Sequence, residues 1–115
     1  MKTSHLNLQE IRDYTGADDE FIVKLFNKFL EHIDADIAKL EKASNEADWN
    51  AVKSSSHAML SSARIFSLKE MITLHEQIEK DCINNTTARI PEMVEQISNL
   101  YREAISEIKE VKATL

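Results

Sequence analysis

The chain has 115 residues, of which 43% are hydrophobic and 30% are charged, and this balance is typical of one folded domain over residues 1–115 and not of a disordered chain. Its formal net charge of −6 repels nucleic acid and anionic lipid on average, so the composition argues against both as partners. There is no apolar run of about 18 residues, no signal-peptide pattern and a single cysteine, Cys82, which together predict a cytoplasmic protein without membrane insertion.

Turn-forming residues are scarce, with one glycine and one proline, which favours long helices joined by short connections. Asn7 is predicted to cap a short first helix, and Gly16 is predicted to end it in a left-handed conformation. Asp48 and Ser67 are predicted N-caps of the third and fourth helices, and Ser67 has a glutamate at capping-box spacing. The predicted helices run from Leu8 to about Tyr14, from Asp18 or Asp19 to about Ala43, from Trp49 to about Phe66, from Leu68 to about Asn84, and from a first turn at Pro91 to about Lys112.

Apolar residues recur at three- and four-residue spacing, so each long helix is expected to bury one face. In the second helix this stripe runs from Phe21 to Leu40. His75 falls inside the stripe of the fourth helix and is predicted to be an interior histidine with a hydrogen-bond partner, His32 lies at the border of its stripe, and His5 is predicted to lie on a mobile terminus. Short loops place successive helices antiparallel, so the predicted fold is all-α: an antiparallel up-down four-helix bundle with a short extra N-terminal helix.

The stretch Ser54–Ser67 of the third helix carries one histidine, His57, among small residues. At roughly 100° per residue, one face of this helix points to the core, and it contains Trp49, Val52, Ser56, Met59, Ala63 and Phe66. His57 lies roughly 130° from the centre of that face, so its ring is predicted to be largely exposed. Its neighbours on the helix surface are predicted to be Lys53, Ser54 and Ser61, with Arg64 two turns along.

An exposed neutral imidazole is a good nucleophile near pH 7, and small neighbours let a second protein approach it closely. Lys53 and Arg64 carry charges that balance a phosphoryl group. The sequence near His57 offers no general-base triad, metal cage or glycine-rich phosphate loop. This pattern suits a phosphoryl carrier better than an autonomous enzyme, although the residues alone favour an ordinary surface histidine over either.

The segment from His57 to Ala63, H-A-M-L-S-S-A, resembles the signature of histidine phosphotransfer (Hpt) domains of multistep phosphorelays. That signature is histidine, any residue, an apolar residue, lysine and then small residues. The resemblance covers most of the chain, because D-I-A-K-L-E from Asp36 to Glu41, then Asp48-Trp49 and Val52, precede the histidine as in the family. Five helices, four of them in an antiparallel bundle, also match the family's architecture.

The resemblance implies a phosphorelay function, in which His57 is the phosphorylation site. Its ring nitrogen would attack the aspartyl phosphate of a response-regulator receiver domain and then pass the phosphoryl group to a second receiver. The implied partners are such receivers and a hybrid sensor histidine kinase. No cofactor is expected on this chain, because the receiver brings Mg²⁺ and most catalytic groups, and no kinase activity of its own is expected. We further expect a monomer, and Met1 with the leading helix favours a free-standing protein.

Two positions depart from the family's pattern. Its lysine three residues after the histidine is Leu60 here, and the glycine often found ten residues after it is Ser67. We hypothesise that Lys53 supplies the missing charge, or that Leu60 adds an apolar docking contact instead, and that Ser67 is harmless because it caps the next helix. Three alternatives stay open: a pseudo-Hpt module that docks partners without efficient transfer, a helical scaffold, and a metal-binding or enzymatic bundle, for which Glu-x-x-His pairs on facing helices are missing.

Overall fold

The computed structural model describes residues 5–16 and 18–115, and that part of the chain is helical, with no strand. The five helices are α1 (Leu8–Thr15), α2 (Asp19–Asn45), α3 (Trp49–Ile65), α4 (Lys69–Ile83) and α5 (Ile90–Thr114). Each of the four long helices packs against two others: α3 lies against α2 and α4, α5 lies against α2 and α4, and α1 rests on α3. The all-α prediction is confirmed. Within the described residues, no helix is long and apolar enough to cross a bilayer.

The helices share one apolar core, and its centre is aromatic. The rings of Phe26 and Phe29 lie 5.3 and 5.2 Å from that of Phe66, which follows α3, and the ring of Tyr101 in α5 lies 6.4 Å from Phe29. Such pairs contribute roughly 0.5–1.5 kcal/mol each beyond the burial of their area. Ile11 of α1 is fully buried in the same core. The short first helix therefore closes one end of the bundle.

Side-chain caps fix the starts of three helices. Asn7, Asp18 and Asp48 accept hydrogen bonds from backbone N–H groups three residues later, at 3.1, 3.0 and 3.1 Å. Each bond satisfies an N–H group that has no partner inside the helix, and contributes about 1 kcal/mol. The predicted caps of α1 and α3 are confirmed, and Asp18 is the cap of α2.

Left-handed residues end the first four helices. Gly16 has a φ of 63°, as predicted, and the residues that follow the other three helix ends, Ala47, Ser67 and Asn85, have φ values of 52°, 53° and 59°. After α2, α3 and α4 the next N–H group reaches back to a carbonyl of the last turn, as in Leu68 N–H to the Ala63 oxygen at 2.9 Å. This is the Schellman arrangement, in which glycine is the usual left-handed residue. The chain thus makes tight turns with few glycines by accepting backbone strain.

The prediction that Ser67 caps α4 is wrong. Ser67 is the left-handed residue that closes α3, and its own N–H donates to the Arg64 carbonyl at 3.2 Å. The N-cap position of α4 is Leu68, and no described side chain bonds to the free N–H groups there. A capping residue needs an extended backbone, so one residue cannot be left-handed for α3 and also cap α4.

Two further predictions were wrong at the edge of the bundle. Phe21 is 51% exposed, because the adjacent Ile22 takes the buried position in the first turn of α2. His5 does not lie on a mobile terminus: its ring is 3% exposed, and its backbone N–H donates to both carboxylate oxygens of Glu107 at 2.9 and 2.7 Å. Glu107 in α5 is itself buried, so its charge is satisfied by the backbone of the segment before α1.

Candidate functional site

The third helix presents His57 to solvent, because its core-facing residues are small or apolar and lie on the other side. Ser56, Met59 and Ala63 are 0%, 4% and 0% exposed, whereas the His57 side chain is 77% exposed. Adjacent residues on a helix differ by roughly 100° in direction, which is why Ser56 and His57 have opposite environments. The predicted exposure of His57 is confirmed.

One ring nitrogen of His57 is held by a carboxylate from the next helix. His57 Nδ1 lies 2.7 Å from Glu79 Oε1, and the Glu79 side chain is only 19% exposed. A carboxylate only accepts hydrogen bonds, so Nδ1 carries a proton in this pair, and in the neutral ring the free lone pair is then on Nε2. Within the described residues Nε2 has no hydrogen-bond partner. The pair therefore fixes the ring through Nδ1 and leaves the Nε2 position free of protein hydrogen bonds in the described part of the chain.

The ring stands at the edge of a shallow depression of about 460 Å³ between α3 and α4. Its lining includes the aliphatic side chain of Ile83, which is 66% exposed and is one of the few large apolar groups at the surface. The rest of the lining consists of a cation, a hydroxyl, an imidazole and a carboxylate, which belong to Lys53, Ser54, His57 and Glu79. The depression thus combines charged and polar groups with apolar surface.

The predicted neighbours of His57 other than Leu60 fall into two groups. Lys53 and Ser54 line the depression with His57, as their spacing indicated. Ser61 and Arg64 are exposed farther along α3 and do not line it. Among residues 5–16 and 18–115, no three His, Cys, Asp or Glu side chains form a group able to hold a metal ion.

Leu60 does not lie at the surface, which corrects the prediction that it contacts a phosphoryl group or a docked partner. Its side chain is 3% exposed. On the helical wheel Leu60 falls between Ser56 and His57, and both of these contact α4. That flank of α3 is therefore covered by α4, and an apolar residue fits there where the family's pattern has a lysine.

Glu79 and Ile83 were missed as site residues. The position of His75 could have indicated them. If His75 lies between α3 and α4, then Glu79 lies one turn farther along the same face of α4, and Ile83 lies two turns farther. Helical periodicity within one helix does not give the axial register between two helices, and that register decides which residue faces His57.

On the core side of α3, next to His57, a buried series of hydrogen bonds links α3, α4 and α5. Ser56 Oγ lies 2.8 Å from His75 Nδ1, and His75 Nε2 lies 2.6 Å from the Tyr101 hydroxyl. Ser56, His75 and Tyr101 are all fully buried. Burial lowers the pKa of His75 to about 4, so the ring is neutral at pH 7. Burial, and to a lesser degree the charge of Asp36, raises the pKa of Tyr101, which keeps its hydroxyl protonated. The predicted interior role of His75 is confirmed.

Comparison with known protein families shows which family the chain belongs to. A family model for the Hpt domain matches residues 24–111, about three quarters of the chain. The chain belongs to the Hpt domain family. Hpt domains act in phosphotransfer in phosphorelay signalling, where they interact with receiver domains. The matched region of this Hpt domain contains His57, Glu79 and the three buried residues that are hydrogen-bonded to one another, Ser56, His75 and Tyr101. No match was found among curated proteins or among solved structures.

Proposed function

We propose that this Hpt domain is a phosphoryl carrier, built on an antiparallel up-down four-helix bundle, and that His57 is its phosphorylation site. The observation that carries the proposal is the His57–Glu79 pair, which holds Nδ1 and leaves Nε2 of an exposed ring without a partner among the described residues. The phosphoryl donor is the aspartyl phosphate of a receiver domain, for example that of a hybrid sensor histidine kinase, and the acceptor is a second receiver. The carrier acts as a monomer in the cytoplasm.

The transfer step balances without a separate base. The Nε2 lone pair attacks phosphorus, a P–N bond forms, and the P–O bond to the aspartyl carboxyl group breaks, with its electron pair leaving on the aspartate. In the neutral ring protonated at Nδ1, Nε2 carries no proton, so none has to be removed. The phosphorylated ring is cationic and keeps its Nδ1 proton, which the Glu79 carboxylate accepts as a hydrogen bond. The reverse step delivers the phosphoryl group to the next receiver, which supplies Mg²⁺.

The lining of the depression fits the arrival of a receiver. Lys53 lines the depression beside His57 and provides a positive charge for the phosphoryl group. This charge compensates for the family's lysine, whose position in this chain is taken by the buried Leu60. Ser54 is small, so the receiver's aspartyl phosphate can approach His57 closely. Ile83 offers an apolar contact at the rim, and Ser61 and Arg64 extend the surface along α3. Together these side chains supply docking and charge balance, while the receiver supplies the catalytic groups.

The test is phosphoryl transfer from a radiolabelled, phosphorylated receiver with Mg²⁺ present. We expect acid-labile, base-stable label on the wild-type protein and none on His57→Gln. The matched control is His32→Gln, because His32 also pairs its Nδ1 with a carboxylate, that of Asp36 at 2.9 Å, but is only 45% exposed. Label on His57→Gln would move the site to another histidine. A stable complex with the receiver and no label would show a docking module instead of a carrier.

A further inference from the structure

We propose that Ser56, His75 and Tyr101 form a register lock, a buried set of hydrogen bonds that positions Glu79 against His57. Its consequence for phosphoryl transfer rests on the proposed function, whereas its effect on the His57 ring does not. Glu79 and the three lock residues are positioning residues in this scheme, because they act through His57.

The lock has one arrangement of hydrogens that leaves no donor unpaired. His75 Nδ1–H donates to Ser56 Oγ at 2.8 Å, and the Ser56 hydroxyl donates to the His75 backbone carbonyl at 3.4 Å. His75 Nε2 then accepts from the Tyr101 hydroxyl at 2.6 Å. The neutral state of the His75 ring allows this pattern, since a protonated ring has no acceptor for the tyrosine.

Two pairs of residues give the lock its connection to the site. Ser56 and His57 are adjacent on α3, and their partners on α4, His75 and Glu79, are one turn apart. The first pair is fully buried and the second lies at the surface. A shift of α4 along α3 that separates His57 from Glu79 therefore also pulls His75 away from Ser56.

That shift is strongly opposed. Without their partners, a buried imidazole and a buried hydroxyl lose their hydrogen bonds and cannot reach water, so each leaves an unsatisfied polar group in the core. A seam made only of apolar side chains opposes sliding less, because one apolar contact replaces another. Tyr101 ties the same histidine to α5, so rotation of α4 is opposed as well.

The test uses one-group deletions and reads the His57 ring directly. In the wild type, ring ¹⁵N shifts of His57 are expected to show one tautomer, protonated at Nδ1. In Ser56→Ala and in Tyr101→Phe we expect a mixture of tautomers, because Glu79 is no longer held at Nδ1, and transfer from a phosphorylated receiver falls in parallel. The matched control is Ser55→Ala: Ser55 is the neighbouring buried serine, and its hydroxyl has no partner among the described residues.

The outcomes separate the two proposals. A change in tautomer in the two lock variants but not in Ser55→Ala supports the lock. An unchanged His57 tautomer in both folded lock variants overturns it, even if both are less stable than the wild type. If the wild type accepts no phosphoryl group, the carrier function fails, and the ring ¹⁵N shifts still decide whether the lock positions Glu79.

Discussion

Lowering the pH from 7 to 4 is expected to destabilise this protein by about 3 kcal/mol through His75 alone, at about 1.4 kcal/mol per unit of pKa difference. Burial lowers the pKa of His75 from 6.5 to about 4 in the folded state. Between these two values the unfolded chain binds a proton that the folded protein excludes. The contribution of His75 is therefore complete above pH 6.5 and is lost progressively as the pH falls towards 4.

Urea unfolding followed by far-UV circular dichroism at pH 7, 5.5 and 4 measures this loss. Other ionisable groups also contribute to the pH dependence of stability, so the comparison is with the double variant His75→Leu/Tyr101→Phe. In that variant the Ser56 hydroxyl keeps a possible acceptor, the backbone carbonyl of residue 75, which lies 3.4 Å away. The free energy of unfolding of the wild type should fall by about 3 kcal/mol more than that of the variant.

Equal pH dependence in the two proteins would show that the proton excluded from the folded protein is not on His75. A second measurement does not depend on the stability of the variant. The ring signals of His75 in the wild type should not titrate between pH 7 and 5, because burial lowers its pKa to about 4. Titration of His75 near pH 6.5 would show that its ring is not excluded from water.

Substitutions at four positions test other parts of the molecule. Ser67→Gly should raise the free energy of unfolding by about 1 kcal/mol by relieving the left-handed strain, and Ser67→Ala, which keeps a β-carbon, should give no such gain in urea melts. Leu60→Ala should lower it by about 2–4 kcal/mol without slowing transfer per folded molecule, since the side chain is buried; slower transfer with unchanged stability would return Leu60 to the docking surface. Lys53→Ala should slow transfer by about two- to fivefold, more at low salt than at high salt, and an unchanged rate would remove Lys53 from charge balance. Glu79→Ala should slow transfer by about tenfold, whereas Glu79→Gln, which keeps an acceptor for Nδ1–H, should lose less; equal rates in the two variants would contradict the orienting role.

Much of the fold follows from local patterns. Caps such as Asn7 and Asp48 depend on a few neighbouring residues, and the interior position of His75 follows from its place in an apolar stripe. The exposure of Phe21 and the burial of His5 do not follow from local patterns. The exposure of Phe21 depends on which residue reaches the core at the helix end. The burial of His5 depends on a carboxylate about a hundred residues away, that of Glu107.

Some features of the candidate site can likewise be predicted from one helix, and others cannot. The exposure of His57 and the positions of Lys53 and Ser54 come from the periodicity of one helix. Glu79 and the burial of Leu60 depend on how α4 lies on α3, which a single helical wheel does not contain. Ser67 shows a further limit: serine is common at N-caps, but the three-residue connection between α3 and α4 required a left-handed residue first.

The position of α1 has a practical consequence for anyone who trims this protein. The family match begins at Lys24, inside α2, so a fragment cut at that residue keeps every matched position. It would nevertheless lose Ile11 and Ile22, both fully buried, each worth roughly 1.5–3 kcal/mol of burial. Against a typical total stability of about 5–15 kcal/mol, that loss is large. The unit that folds is therefore longer than the unit that the family pattern recognises, and expression boundaries are better placed before His5, whose backbone binds the buried Glu107.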